Sequence, residues 1–469
     1  EIPELVAVAM KPEANSGSSQ SKQYAMNSQS TGQPGTSAEF GPMSITGKTE
    51  TKAIGETNIQ GDTILVNPNA FHEKERSANV VRTIEQAIEL ANNLPHIKRI
   101  VVRGPAITTS MTGLRSSLDI ETDIVIQSES GGRCKWTIDG ADSQVDAVDA
   151  AACIDCLQGN FVLQDIDVEW RVAGLARRKA LFAVHPGAWL QIRNCNITAH
   201  DNGSAYVLGP YSTASKRPSS FSSIVAVLET PQDKSDEITT STTANTATSN
   251  SERALKPTRI SASQFSIRGQ CDWLQLTSPI RTEVQLENGW LAISGSMLET
   301  FGSRSVAKSS VPLRIDMQAI TTYTMRPWMT CSVSNTHPYP LPIVRTAKAC
   351  IFSGSSTLIE WNATDCPDWR VWEQTDQGQK LTKWIDLRGR DNLYDDSWIL
   401  NFLTVRLSSG VVDQISVDSS SDLLSDERGL ETEAAWIKRP VFESSRIHEA
   451  TSNAFDGMTR SFLPGFKLP

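Results

Sequence analysis

Apolar and polar positions alternate along most of this chain in short runs, and one run recurs. Residues Phe161 to Val168 read apolar, spacer, apolar, spacer, polar, apolar, polar, apolar. The same pattern returns 29 positions later, from Leu190 to Ile197, and a degenerate third copy runs from Leu291 through Ile293 and Gly295 to Leu298. On a strand, alternate residues face opposite sides, so Leu163, Ile166 and Val168 share one face and Gln164 and Asp167 the other. A polar residue at a fixed place, Asp165 and then Asn194, marks a bend in each copy. One such unit cannot bury its apolar face alone, so stacked neighbours must do it.

The same signal extends over most of the chain. Thr83-Ile84-Glu85-Gln86 fits a helix-starting box, and Ile84, Ala87, Ile88 and Ala91 follow with helical spacing. A short amphipathic helix there would shield the open end of a strand stack. Strands are predicted at 100–102, 117–120, 123–126, 136–138, 224–228, 273–276, 284–286, 291–293, 313–315, 349–352 and 357–360, with Asn288-Gly289 as a tight-turn signal. Two segments break the pattern. Residues 9–36 are rich in Ser, Gln, Gly, Asn and Thr, and nine of the thirteen residues from Thr239 to Ser251 are Ser or Thr. The predicted organisation is a low-complexity linker over 1–62, a parallel strand solenoid over 63–415 with a Ser/Thr-rich insertion at 229–257, and an irregular tail over 416–469.

The order of these elements resembles the opening of right-handed parallel β-helices of the pectin-lyase-like class. The matching residues are Thr83-Ile84 with Ala87-Ile88, Ile100 to Gly104, Ile124 to Ile126, Thr137 to Gly140, and the Asn-bearing bend Asn194-Cys195-Asn196-Ile197. The later part, through Leu286 to Leu291, Asp391 to Tyr394 and Trp398, is similar to β-helical regions of long planctomycete-type bacterial proteins, many with a Ser/Thr kinase domain upstream. The resemblance implies an all-β, single-stranded right-handed β-helix that serves as the sensing or binding region of a larger signalling protein. No Gly-rich phosphate loop, His-Arg-Asp or Asp-Phe-Gly occurs, so kinase activity is not assigned to these residues.

Charge and composition narrow the function. The net charge of −9 suits nucleic acid poorly as a partner, and no run of about 18 apolar residues would span a membrane. The chain opens on Glu1 rather than Met and lacks a basic-then-apolar leader, which reads as a fragment or processed form of unknown compartment. Its eight cysteines match no zinc spacing and read as small buried hydrophobes, with Cys195 in the inward slot that Ile166 fills one repeat earlier. The His200-Asp201 pair reads as a surface loop. The tryptophans crowding the last third, including Trp361, Trp384 and Trp398, read as an aromatic closure of the stack.

Two functions compete. The first is a non-catalytic scaffold that presents outer strand faces to a protein or carbohydrate partner, without catalytic residues or cofactor. The second is a calcium-dependent polysaccharide lyase of the class the chain resembles. It would gather Asp155, Asp165 and Asp167 around the cation, with Arg177, Arg178 and Lys179 beside them. The lone Asp395-Asp396 pair has no neighbouring His to complete a hydrolase site.

Overall fold

A computed structural model describes residues 61–70, 79–110, 117–129, 132–139, 152–172, 180–201, 222–228, 256–277, 280–303, 313–354, 357–365, 384–398, 403–407, 412–415, 431–432 and 434–437. The linker predicted over 1–62 therefore lies almost wholly outside them, as do residues 229–255 of the insertion. The described part is all-β with one helix, and its strands form a 19-stranded and a 10-stranded sheet. Among the described strands every ladder is parallel except that between Leu403–Leu407 and Val412–Ile415.

The pairings resolve into three tracks, and the chain visits them in turn. The first track holds Asn160–Gln164 against Trp189–Arg193, and the second holds Ile166–Val172 against Asn196–Asp201. The third holds Ala152–Cys156 against Ala180–Val184 and forms the smaller sheet. Later strands such as Thr258–Gly269 and Thr282–Ile293 run through the bend and occupy the first and second tracks together, which merges those tracks into the larger sheet. This arrangement is compatible with a parallel β-helix.

Register is what lets such short strands hold. One column on the first track runs Ile64, Ile100, Ile126, Leu163, Ile192, Ala262, Leu286, Met317 and Ala347, each the direct partner of the next. All nine are buried in a single cluster. Because each repeat contributes one residue to each column, a slip of one residue would turn every aliphatic outward. Cys195 is buried as predicted, and its thiol donates to the carbonyl of Arg193 at 3.1 Å.

The bend is the second repeating element. Asp165, Asn194, Gln264, Asn288, Ala319, Ala349 and Asp391 all have φ between 49° and 58°. The amide of Asp165 donates to Arg193 O at 3.1 Å and that of Asn194 to Ser263 O at 2.9 Å, so the bend closes onto the next repeat. Asp and Asn tolerate this left-handed conformation, whereas Ala does not gain a local side-chain bond there. Ala349→Gly is therefore expected to raise stability by roughly 1 kcal/mol. Chemical denaturation would show this as a higher midpoint at unchanged slope.

Three sequence expectations change. Asn288-Gly289 is this bend inside a continuous strand, not a tight turn between two separate ones, since both flanks pair in parallel with Thr258–Gly269. The true third and fourth copies of the repeat start at Ile260 and Val284, in register with Leu190. The copy read from Leu291 was offset because alternation continues across the bend and leaves no apolar gap to mark it. Within the tail predicted from residue 416, Glu431–Thr432 and Ala435–Ile437 add a further parallel layer on Gly389–Arg390 and Leu393–Asp395.

The helix Ile84–Asn93 forms where predicted. Thr83 Oγ1 accepts from Gln86 N at 3.2 Å, and Ile84, Ala87, Ile88 and Ala91 are buried. Asn92 Nδ2 donates to Asp119 O at 2.7 Å and Asn92 Oδ1 accepts from Glu121 N at 3.2 Å, which ties the helix to the first strand of the third track. No helix among the described residues is long and apolar enough to cross a membrane.

Candidate functional site

The polar positions of the repeat converge on the outer face of the second track. Lys135, Asp167, Asn196 and Ser266 form one row across four repeats, and Thr137, Glu169, Thr198 and Arg268 form the next. Asp139, Arg171 and His200 form a third. These side chains point outward because Val168 and Ile197, at alternate positions, fill the interior.

Side-chain bonds run along the stack. Asn194 Nδ2 donates to Asp165 Oδ1 at 2.6 Å, while Gln164 Nε2 donates to Asp165 Oδ2 at 3.0 Å. Asn196 Nδ2 donates to Asp167 Oδ1 at 2.8 Å, and Ser266 Oγ donates to Asn196 Oδ1 at 2.5 Å. Arg133 clips this ladder from one repeat below. Its Nη1 donates to Asp167 Oδ1 at 3.1 Å, and its Nη2 donates to Asn194 Oδ1. The Asn-bearing bend thus bonds along the stack.

Glu169 is the hub of the neighbouring row. Its Oε1 accepts from Arg171 Nη2 at 3.1 Å and lies 3.5 Å from His200 Nε2, while Oε2 pairs with Lys135 Nζ. Partial burial pushes this carboxyl up, but the bonds from Lys135 and Arg171 outweigh burial and hold it below the usual range. Burial lowers His200 from the ordinary histidine value. Glu169 pulls the other way, and Arg171, Arg268 and Lys135 add to the lowering.

Of the residues proposed for a calcium site, the described ones are divided between the two sheets. Asp165 and Asp167 lie on the larger sheet, whereas Asp155 sits in the strand Ala152–Cys156 of the smaller one and takes His185 Nε2 at 2.6 Å. Arg177, Arg178 and Lys179 lie outside the described residues. Asp165 and Asp167 already accept amide and guanidinium donors, which suits them poorly to a cation needing six to eight oxygens. No group of three or more His, Cys, Asp or Glu among the described residues is placed to hold a metal.

Other candidates fall into structural roles. His200 stands on the strand Asn196–Asp201, not on a loop. Asp395 is buried and accepts from Ser353 Oγ at 2.9 Å. The seven described cysteines are buried. Burial pushes Cys134 up to about 11 and Cys195 and Cys331 up to about 12, which keeps these three as unreactive thiols at neutral pH. Trp361 and Trp398 are fully buried, as an aromatic closure requires, while Trp369 and Trp372 lie outside the described residues.

The sequence points to Asp165, Asp167, Asn194 and Asn196 but not to Arg133, Lys135 and Glu169 as the groups that complete this face. The missing signal was the repeat that begins at Cys134, too divergent from the 161–168 pattern to align. Asn196→Ala removes two bonds of the ladder and should destabilise the chain by roughly 1–2 kcal/mol. The loss would be read as a lower denaturation midpoint, with Asn196→Asp, which restores the acceptor for Ser266 but sets a second carboxylate against Asp167, no better. No family model, curated protein or solved structure matches the chain.

Proposed function

We propose that the chain is a non-catalytic scaffold: a single right-handed parallel β-helix of the pectin-lyase-like kind whose outer faces bind a protein or carbohydrate partner. Right-handedness follows from the strong chiral preference of parallel crossovers. The observation that carries the reading is the ladder on the second track. Asp165, Asp167 and Glu169 are each committed to a donor on the same or a neighbouring repeat, so they brace a regular outer surface instead of converging on a reacting atom. By resemblance, the scaffold serves as the sensing region of a longer, kinase-linked bacterial protein.

The alternative is lyase chemistry at Asp167, and a direct assay separates the two. Incubation with polyuronates and calcium is expected to give no rise in absorbance from unsaturated products. Product that disappears in Asp167→Ala would overturn the scaffold reading. Binding without turnover, measured on immobilised oligosaccharides, would support it.

A further inference from the structure

The second-track face carries a titratable group placed to alter its charge. Among its described residues, the cations Arg133, Lys135, Arg171 and Arg268 stand with the carboxylates Asp139, Asp165, Asp167 and Glu169, four against four. With His200 neutral the fixed charges cancel. His200 is therefore the one group there whose state is set by mildly acidic pH.

Its neighbours make that state consequential. From the strand Ile166–Val172, Glu169 and Arg171 face it; from Cys134–Asp139, Lys135 with Asp139 at the end of the same row; and from Thr258–Gly269, Arg268. Arg268 Nε donates to Thr198 Oγ1 at 2.9 Å. Glu169 Oε1 lies between two claimants. Arg171 reaches it with Nη2 at 3.1 Å and Nε at 3.3 Å, while His200 Nε2 stands at 3.5 Å, just beyond a good hydrogen bond. The side chain of Glu169 is 14% exposed and that of Arg171 44%, so the carboxylate is fixed and the guanidinium has room to swing.

Resting on the binding face described above, we propose that protonation of His200 draws Glu169 Oε1 from Arg171 and releases the Arg171 guanidinium to an oxyanion carried by the partner. The imidazolium would shorten its contact into a charge-assisted bond, and Arg171 would present its planar fork to a carboxylate or sulfate group. The face would then carry one net positive charge in place of none. Burial and the surrounding cations place the transition on the acid side of an ordinary histidine, so the gate is shut at neutral pH.

The test uses the full chain with fluorescent dextran sulfate, carboxymethyl-dextran and neutral dextran at pH 8 and pH 5 and constant ionic strength. The two charged polymers distinguish sulfate from carboxylate recognition. Wild type should bind one of them roughly tenfold more tightly at pH 5, as one added charge at short range predicts. His200→Gln should keep the pH 8 affinity at both values, and Arg171→Gln should lose the gain. In parallel, the Arg171 Nε–H resonance of arginine-labelled protein, assigned by its loss in Arg171→Lys, should move between pH 8 and pH 5 in wild type but not in His200→Gln. Equal binding at both pH values with an unmoved resonance overturns the gate and leaves the binding face standing. A moving resonance with no charged polymer bound at either pH overturns the binding face itself. An unchanged pH gain in His200→Gln overturns the assignment to His200.

Discussion

Arg345→Ala is expected to lower the unfolding free energy by roughly 3–5 kcal/mol. Arg345 occupies an inward slot of the first track, between Ile315 and Leu387 in the same column, and is fully buried. Its guanidinium carbon lies 4.7 Å from the centroid of the Phe352 ring, 5.7 Å from Tyr394 and 5.9 Å from Trp328, and Nη2 donates to Tyr394 Oη at 2.6 Å. Phe352 in turn stacks on Tyr394 at 5.0 Å and meets Trp328 edge-on at 5.5 Å. A cation desolvated among aromatic faces gains more than an exposed one. Truncation to Ala removes those contacts, leaves a cavity beneath three rings and strips the Tyr394 hydroxyl of its donor. Arg345→Met keeps most of the volume without the charge and should fall between wild type and Ala; Arg345→Lys keeps the charge but cannot lie flat on the rings and should also fall between. Urea denaturation of the three variants would rank them. Equal stability of Ala and wild type would show that the aromatic cluster closes without the guanidinium.

Gly269→Ala is expected to be the most damaging methyl addition. Gly269 ends a strand of the second track at φ 116°, and a Cβ there would lie 2.0 Å from the carbonyl oxygen of Ala199 on the neighbouring repeat. That oxygen is backbone and cannot swing away, so relief requires the two repeats to part. Together with the backbone strain, a loss of roughly 3 kcal/mol or more is expected. Gly104→Ala is the matched control: its φ is 103°, but nothing lies within 4 Å of the added carbon. It should show only the conformational part, about 1–2 kcal/mol. A similar loss in both variants would mean that repeat-to-repeat contact is looser at Ala199 than described.

The sequence was most readable where one residue does two things. Leu163, Ile166 and Val168 alternate with polar residues and recur as Ile192, Cys195 and Ile197, so their shared interior could be inferred before any coordinates. Asp165 and Asn194 were readable as bends because Asp and Asn favour the left-handed region. Ala319 and Ala349 hold the same conformation and were not, since nothing in an alanine announces a positive φ. The ladder was half legible. Asp167 and Asn196 share a place in the repeat, but their partner Arg133 precedes a strand whose pattern differs. The joining of Asp155 to Asp165 and Asp167 failed for a topological reason. Closeness in sequence puts them within one repeat, but a repeat spans both sheets: Asp155 stands on the third track and Asp167 on the second. Arg345 was invisible as a core residue because its charge hides an inward position that only register reveals.

The central claim is that successive repeats lie directly upon one another. Arg99, Val125, Val162, Gln191, Ser261, Gln285, Asp316, Thr346 and Arg388 form one continuous row of direct partners. Spin labels at Arg99 and, in turn, at Gln285, Asp316 and Arg388 sample it by pulsed dipolar spectroscopy. With roughly 4.8 Å between adjacent strands, the backbone separations should be about 24, 29 and 38 Å, rising by a constant step per repeat. Distances that fail to grow in that order, or an Arg99–Arg388 separation shorter than Arg99–Gln285, would contradict the stack.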